Sequence, residues 1–225
     1  MGTVGDSFFD TFQIVALALF LFIFSARSVH LRIRRHISPI TLSLHKKGRL
    51  GIVEFGLFVA VNLWAAAVLL HTLPLDVQPF PSLLRFQLLD SFPAKIAGAA
   101  VTALAFVIGG LAVVALGDSW RLGLDDQNPG KLVTTGIYAV SRNPIYLFFD
   151  LYFIGTFLIN GTLIFLIFAL FTIANLHYQI LHEERFLAAV HGTAYLAYQA
   201  RTTRYFAWHR AAPVLVSRLT KSSSA

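Results

Sequence analysis

Three groups of residues in the C-terminal half have types and spacings that suit chemistry. The first is Arg142-Asn143-Pro144. Asn is among the preferred helix N-caps and Pro suits the first helical position, so a helix is expected to open here with its unpaired N–H groups and positive dipole end exposed to a ligand. An anion is stabilised at such an end, and Arg142 adds a planar fork for a carboxylate. The plainer reading keeps Arg142 as an interfacial anchor and Asn143-Pro144 as a cap. The second group is Glu183-Glu184, expected where an apolar run ends at Leu181. Adjacent carboxylates at a helix C-terminus oppose the dipole and each other, which calls for a partner. Arg185, Arg201 or Arg204 would serve as ion-pair partners, and a ligand amine or ribose is the functional alternative. The third group is aromatic: Tyr138, Tyr146, Tyr195 and Tyr198 punctuate the same region.

Other chemistries are excluded or weakened. The 225 residues contain no cysteine, which rules out disulfides, thiolate nucleophiles and zinc-thiolate sites. His182-Glu183-Glu184 lacks the second histidine of a zinc helix, and His177 and His182 are five residues apart instead of four, so no metal is expected. Neither a Gly-rich dinucleotide turn nor a phosphate-binding P-loop occurs. A nucleotide-like cofactor would therefore have to bind between membrane helices and loops.

The elements that must position these residues are apolar helices. The chain is 56% hydrophobic and only 13% charged, far from the composition of a soluble domain. Five stretches are long enough to consider as spans: 8–26, 52–73, 96–116, 144–160 and 162–181. The first has no basic region ahead of it and a basic loop after it, the pattern of a stop-transfer segment rather than a signal peptide. Asn160-Gly161 reads as a tight hairpin that returns the fifth span antiparallel to the fourth. Sixteen of the 18 Lys and Arg fall in three segments, 27–51, 117–143 and the tail after Leu181. Five spans put all three on one side, which the positive-inside rule makes cytoplasmic, with the N-terminus outside. Residues 29–47 interleave basic and apolar side chains and suit a headgroup surface or a solvated loop. The earlier polar residues Asp10, Glu54, Asn62 and His71 read as interfacial or interhelical hydrogen bonders, and 217–225 as a polar, disordered end. The expected architecture is an all-α polytopic membrane bundle: helices with a basic loop in 1–116, a catalytic region in 117–210 and a polar tail in 211–225. A net charge of +7 is accounted for by these loops and anionic lipid, with no nucleic-acid motif present.

Taken together, Leu132-Val133-Thr134-Thr135-Gly136-Ile137-Tyr138, Arg142-Asn143-Pro144-Ile145-Tyr146, Glu183-Glu184 and Gly192-Thr193-Ala194-Tyr195-Leu196-Ala197-Tyr198 resemble, in order and spacing, the integral membrane methyltransferases. That family includes isoprenylcysteine carboxyl methyltransferase and the phospholipid methyltransferases, and the resemblance runs over roughly residues 117–206. It implies S-adenosylmethionine held at the cytoplasmic face and a lipophilic or small membrane-permeant acceptor entering from the bilayer. On this reading Tyr138, Arg142, Asn143, Pro144, Tyr146, Glu183, Glu184 and Tyr198 contact the cofactor, and Glu184 and Arg204 carry the catalytic roles. Arg142 would take the cofactor carboxylate and Glu183 or Glu184 its amino or ribose groups. Asn143 stands where the family usually has histidine, so a titrating group is missing there, and Phe148 and Phe149 replace a small residue common near the family's tyrosine.

Two other classes compete. A sterol or enone reductase using NADPH is distantly similar in its C-terminal half but has a longer multi-span architecture. A small channel or transporter would be marked by intramembrane ionisable residues. Asp150 is the one acid well inside a late span, and no internal repeat is evident.

Overall fold

The computed structural model describes residues 4–35, 49–73, 80–117 and 131–206. The later part of the 29–47 segment, the stretch 118–130 and the polar end 217–225 lie outside the described residues. Among the described residues six α-helices run in chain order: α1 (Val4–Arg35), α2 (Arg49–Thr72), α3 (Phe92–Leu116), α4 (Pro144–Asn160), α5 (Leu163–His191) and α6 (Thr193–Arg201). Among the described residues, two short 3-10 turns, Ser82–Arg85 and Gly136–Ala139, precede α3 and α4. α1, α2, α3 and α5 contain segments long and apolar enough to cross a membrane, and α4 is a shorter apolar helix of 17 residues. The chain is an all-α polytopic membrane bundle.

The largest departures from the expected boundaries are at two C-terminal ends, the starts of α1, α2 and α3 moving by three or four residues. α1 continues past Ala26 through its basic residues to Arg35, and α5 continues past Leu181 to His191. Hydropathy marks where an apolar run stops, whereas the backbone hydrogen bonds of a helix continue wherever charged side chains can reach water or a partner. Glu183 and Glu184 therefore sit inside α5, two turns before its end, and dipole repulsion at a helix terminus is not what they have to overcome.

Close helix packing positions the site. α3 buries Gly98, Thr102, Ala105, Gly109 and Ala112, small residues at alternating four- and three-residue steps that form one stripe against α4. The approach is tight: a Cβ on Gly155 would lie 2.1 Å from Thr102 Oγ1, and one on Gly98 would lie 2.7 Å from the Gly155 carbonyl. Above this seam Phe148 fills the space at Gly109 and joins Phe20, Phe24, Phe106 and Tyr152 in an aromatic core, with Trp64 donating to Thr156 Oγ1 at 3.1 Å. Phe148 is thus a core residue shared by several helices.

The turn between α4 and α5 is the hairpin expected at Asn160-Gly161. Gly161 is left-handed at φ 64°, and its carbonyl accepts from Leu88 N and Leu89 N at 2.8 and 3.0 Å. Gln87 donates to the Asn160 carbonyl at 3.0 Å, so the segment before α3 clasps the hairpin. Asn160 also exchanges two side-chain hydrogen bonds with Gln13 of α1, at 2.6 and 3.3 Å. At the opposite end of the bundle Arg27 of α1 donates to the Gly117 carbonyl at the end of α3. The start of α4 and the end of α5 lie at this second end, where the chemistry collects.

Candidate functional site

Pro144 opens α4, but Asn143 does not cap it with its side chain. Its backbone N–H donates to Ser141 Oγ at 3.1 Å, while Nδ2 donates to Glu184 Oε1 and to the Arg204 carbonyl, both at 3.1 Å. A buried amide serves here as a cross-link between α4, α5 and the segment after α6. The expected cap would use Oδ1 as an acceptor, whereas the contacts observed use Nδ2 as a donor to a charged carboxylate and a carbonyl, and these fix the orientation of the amide.

Glu184 is the hub. It is only 5% exposed and receives two guanidinium groups. Arg142 approaches Oε1 with Nη2 at 2.9 Å and Nε at 3.2 Å, and Arg204 approaches Oε2 with Nη2 at 2.9 Å and Nε at 3.1 Å. Two motifs 42 residues apart in sequence therefore meet directly. Of the cationic partners considered from sequence, Arg204 fills that role, and Arg142 joins it. Arg142 spends its remaining Nη1 on the carbonyls of Gln199 and Thr202. Its side chain is 8% exposed, against 35% for that of Arg204. Arg142 is consumed by the protein, and Arg204 is the guanidinium turned toward the outside.

Glu183 points the other way around the helix, and its Oε2 accepts from the Tyr146 hydroxyl at 2.6 Å. Tyr198, buried on α6, donates to the Tyr138 carbonyl at 2.6 Å and packs edge-on to Tyr195. Burial raises the hydroxyls of Tyr138 and Tyr198 well above their ordinary values and pushes Tyr195 up to about 12, assisted by the charge of Glu184. These tyrosines stay protonated at neutral pH and act as hydrogen-bond donors. Residues 202–205 return beside residues 140–142: Arg142 N donates to the Thr203 carbonyl at 2.9 Å and Ser141 pairs with Thr203 in a parallel bridge. Ser141, Thr202 and Thr203 have no individual role legible in the sequence, since small hydroxyl residues carry no spacing signal. All eight expected cofactor contacts and both expected catalytic residues thus lie at one end of α4, α5 and α6.

The donor set fits a zwitterionic ligand. Two guanidiniums against one carboxylate leave a positive excess, expressed at the more exposed Arg204 where an anion can reach it. Beside it the Glu183–Tyr146 pair offers a carboxylate and a hydroxyl to an ammonium or ribose group.

Residues 93–194 match the family model described as phospholipid methyltransferase. The match begins within α3, earlier than the resemblance at 117–206, and so takes in the small-residue seam that holds α4. It supports a membrane methyltransferase in general and agrees with the resemblance carried by the Arg142, Glu183-Glu184 and Gly192–Tyr198 motifs. No curated protein and no solved structure matches the chain.

Proposed function

We propose that this membrane protein transfers the methyl group of S-adenosylmethionine to a lipophilic or small membrane-permeant acceptor, at a cytoplasmic site formed by the ends of α4, α5 and α6. The observation that carries this reading is the double clamp on Glu184, with the more exposed Arg204 on one side and the Glu183–Tyr146 pair on the other. S-adenosylmethionine supplies a methyl group already activated on a sulfonium, so positioning and exclusion of water are the main demands on the protein. Arg204 meets the carboxylate of the amino-acid tail. Glu183 and the Tyr146 hydroxyl bind the ammonium or ribose groups. Arg142 and Asn143 act as positioning residues that hold Glu184, and through it Arg204, in place. Tyr138, Tyr195 and Tyr198 wall the site with protonated hydroxyls and apolar ring faces. The buried aromatic core beneath excludes water from the reacting end.

Charge placement supports the cytoplasmic orientation: 16 of 18 Lys and Arg lie in segments assigned to the side that carries this cluster. Incubating membranes that contain the protein with methyl-labelled S-adenosylmethionine, then analysing the lipid extract by mass spectrometry, tests the function. Label in a lipid product that is absent from the Arg204→Ala membranes is expected. A protein that binds NADPH and not S-adenosylhomocysteine would replace this reading with the reductase.

A further inference from the structure

A second layer of polar residues lies directly beneath the charge cluster. Asp150 follows Tyr146 by four residues on α4, on the same helix face and about 6 Å further into the bundle. His177 precedes Glu184 by seven residues, two turns down the same face of α5. Tyr205 follows Arg204 in the returning segment, and its hydroxyl lies 2.8 Å from His177 Nδ1 with the two rings stacked. Tyr146, Glu184 and Arg204 of the upper layer thus each have a polar residue of the lower layer on the same stretch of chain.

Asp150 is the member without an evident structural task. It is 7% exposed, and its Oδ1 has no hydrogen-bond partner among the described residues. A buried carboxylate oxygen left unpaired carries the desolvation penalty of a charged group without the hydrogen bond that normally offsets it, which leaves it available to a ligand. Tyr205 is close enough for its hydroxyl, already raised by burial, to be raised further by the Asp150 charge. The charged and titratable groups around this layer are Tyr146 and Glu183, Arg204 with Glu184, and Tyr205 with His177. The face that α3 packs on α4 carries Gly98, Thr102, Ala105, Gly109 and Ala112 together with Phe106, none of them ionisable.

We propose that Asp150 is the proton acceptor of the methyl-transfer reaction, and hence that the methyl acceptor is a protic heteroatom, N–H, S–H or O–H, rather than a carboxylate. This inference rests on the methyl-transfer reading above. The acceptor heteroatom forms its bond to the methyl carbon, the sulfonium carbon–sulfur bond breaks with its electron pair going to sulfur, and the proton on the heteroatom passes to Oδ1 of Asp150. A carboxylate acceptor releases no proton and would need no such group. Tyr205, anchored on His177, is a positioning residue that acts through Asp150.

The test uses the full-length protein in nanodiscs with methyl-labelled S-adenosylmethionine and four probes: phosphatidylethanolamine vesicles, dodecanethiol, dodecanol and N-acetyl-S-farnesylcysteine, whose one available acceptor is a carboxylate. Transfer to at least one of the first three and not to the last is expected. Asp150→Asn should lower that turnover at neutral pH by about 100-fold or more, with recovery as pH rises toward the probe's own pKa. Its affinity for S-adenosylhomocysteine, measured by calorimetry, should stay within about twofold, as expected for a residue outside the cofactor contacts. Tyr205→Phe keeps the ring stack and should lower turnover by a smaller factor; it also serves if Asp150→Asn does not fold. Transfer to N-acetyl-S-farnesylcysteine alone, transfer to no probe by a protein that binds S-adenosylhomocysteine, or unchanged turnover in Asp150→Asn, or in Tyr205→Phe where that variant stands in, overturns the inference while leaving the cofactor site standing. Failure of the wild-type protein to bind S-adenosylhomocysteine removes the parent reading instead.

Discussion

Replacing Arg142 with alanine separates the structural from the ligand-binding half of the cluster. The substitution deletes two donors to Glu184 and the donors to the Gln199 and Thr202 carbonyls. Breaking a buried ion pair by removing one partner typically costs about 3–5 kcal/mol, because the other charge is left buried. Glu184 retains Arg204 and Asn143, which places the loss near the lower end, about 3 kcal/mol. The two carbonyls add up to about 1 kcal/mol each to the extent that water does not replace the lost donor. Arg142→Lys keeps the charge but not the fork, and should recover only part of this. Arg204→Ala is the contrast: its side chain is 35% exposed, so stability should fall by less, while affinity for S-adenosylhomocysteine falls by about 1–3 kcal/mol. Reversible unfolding in detergent micelles measures the first quantity and calorimetry on the folded protein the second. If Arg142→Ala loses under about 0.5 kcal/mol of stability, Glu184 is not held as argued.

Other perturbations read the scaffold. Gly155→Ala would press a Cβ to 2.1 Å from Thr102 Oγ1 at the α3–α4 seam and should cost about 1–3 kcal/mol in an unfolding assay. Gly161→Ala should be worse, because φ is left-handed and the Cβ would fall 1.6 Å from the Leu89 carbonyl; the loss of the clasp would appear as increased proteolysis between α2 and α3. Asn160→Leu removes the amide pair with Gln13 and should lower stability by about 0.6–2 kcal/mol. In this cysteine-free chain, Val140→Cys and Phe86→Cys sit at opposite ends of the bundle, 40% and 61% exposed, and should be labelled from the inside and the outside of intact cells respectively.

Much of this arrangement is legible without coordinates, and the gaps have identifiable causes. The hairpin at Asn160-Gly161 could be read because a lone glycine between two apolar runs leaves no other place for the turn. The start of α4 at Pro144 could be read from the proline. The convergence of Arg142 with Glu184 followed from that hairpin, since it returns α5 alongside α4. The end of α5 was misplaced because hydropathy cannot see the helical turns that continue to His191 on charged residues. Asn143 reads as a cap in the sequence because local propensity carries no information about a carboxylate 41 residues away that accepts from its amide Nδ2. Arg142 was assigned to a ligand carboxylate; nothing local indicates that its donors are absorbed by Glu184 and two backbone carbonyls. Glu54, 3% exposed, is the interhelical one of the two roles that its residue type allows, and sequence does not choose between them because a single acid on a largely apolar helix has no periodic signature.

The central claim is that a zwitterionic methyl donor binds where Arg204 and the Glu183–Tyr146 pair flank the clamped Glu184. Isothermal calorimetry of the purified, chelator-treated protein with S-adenosylhomocysteine tests it most directly, with Arg204→Ala and Glu183→Gln beside the wild type. Binding to the wild type without added metal, weakened roughly 5- to 150-fold in each variant, is expected from the loss of one charged hydrogen-bonding group. Equal affinity in all three proteins, or no binding to the wild type, would contradict it.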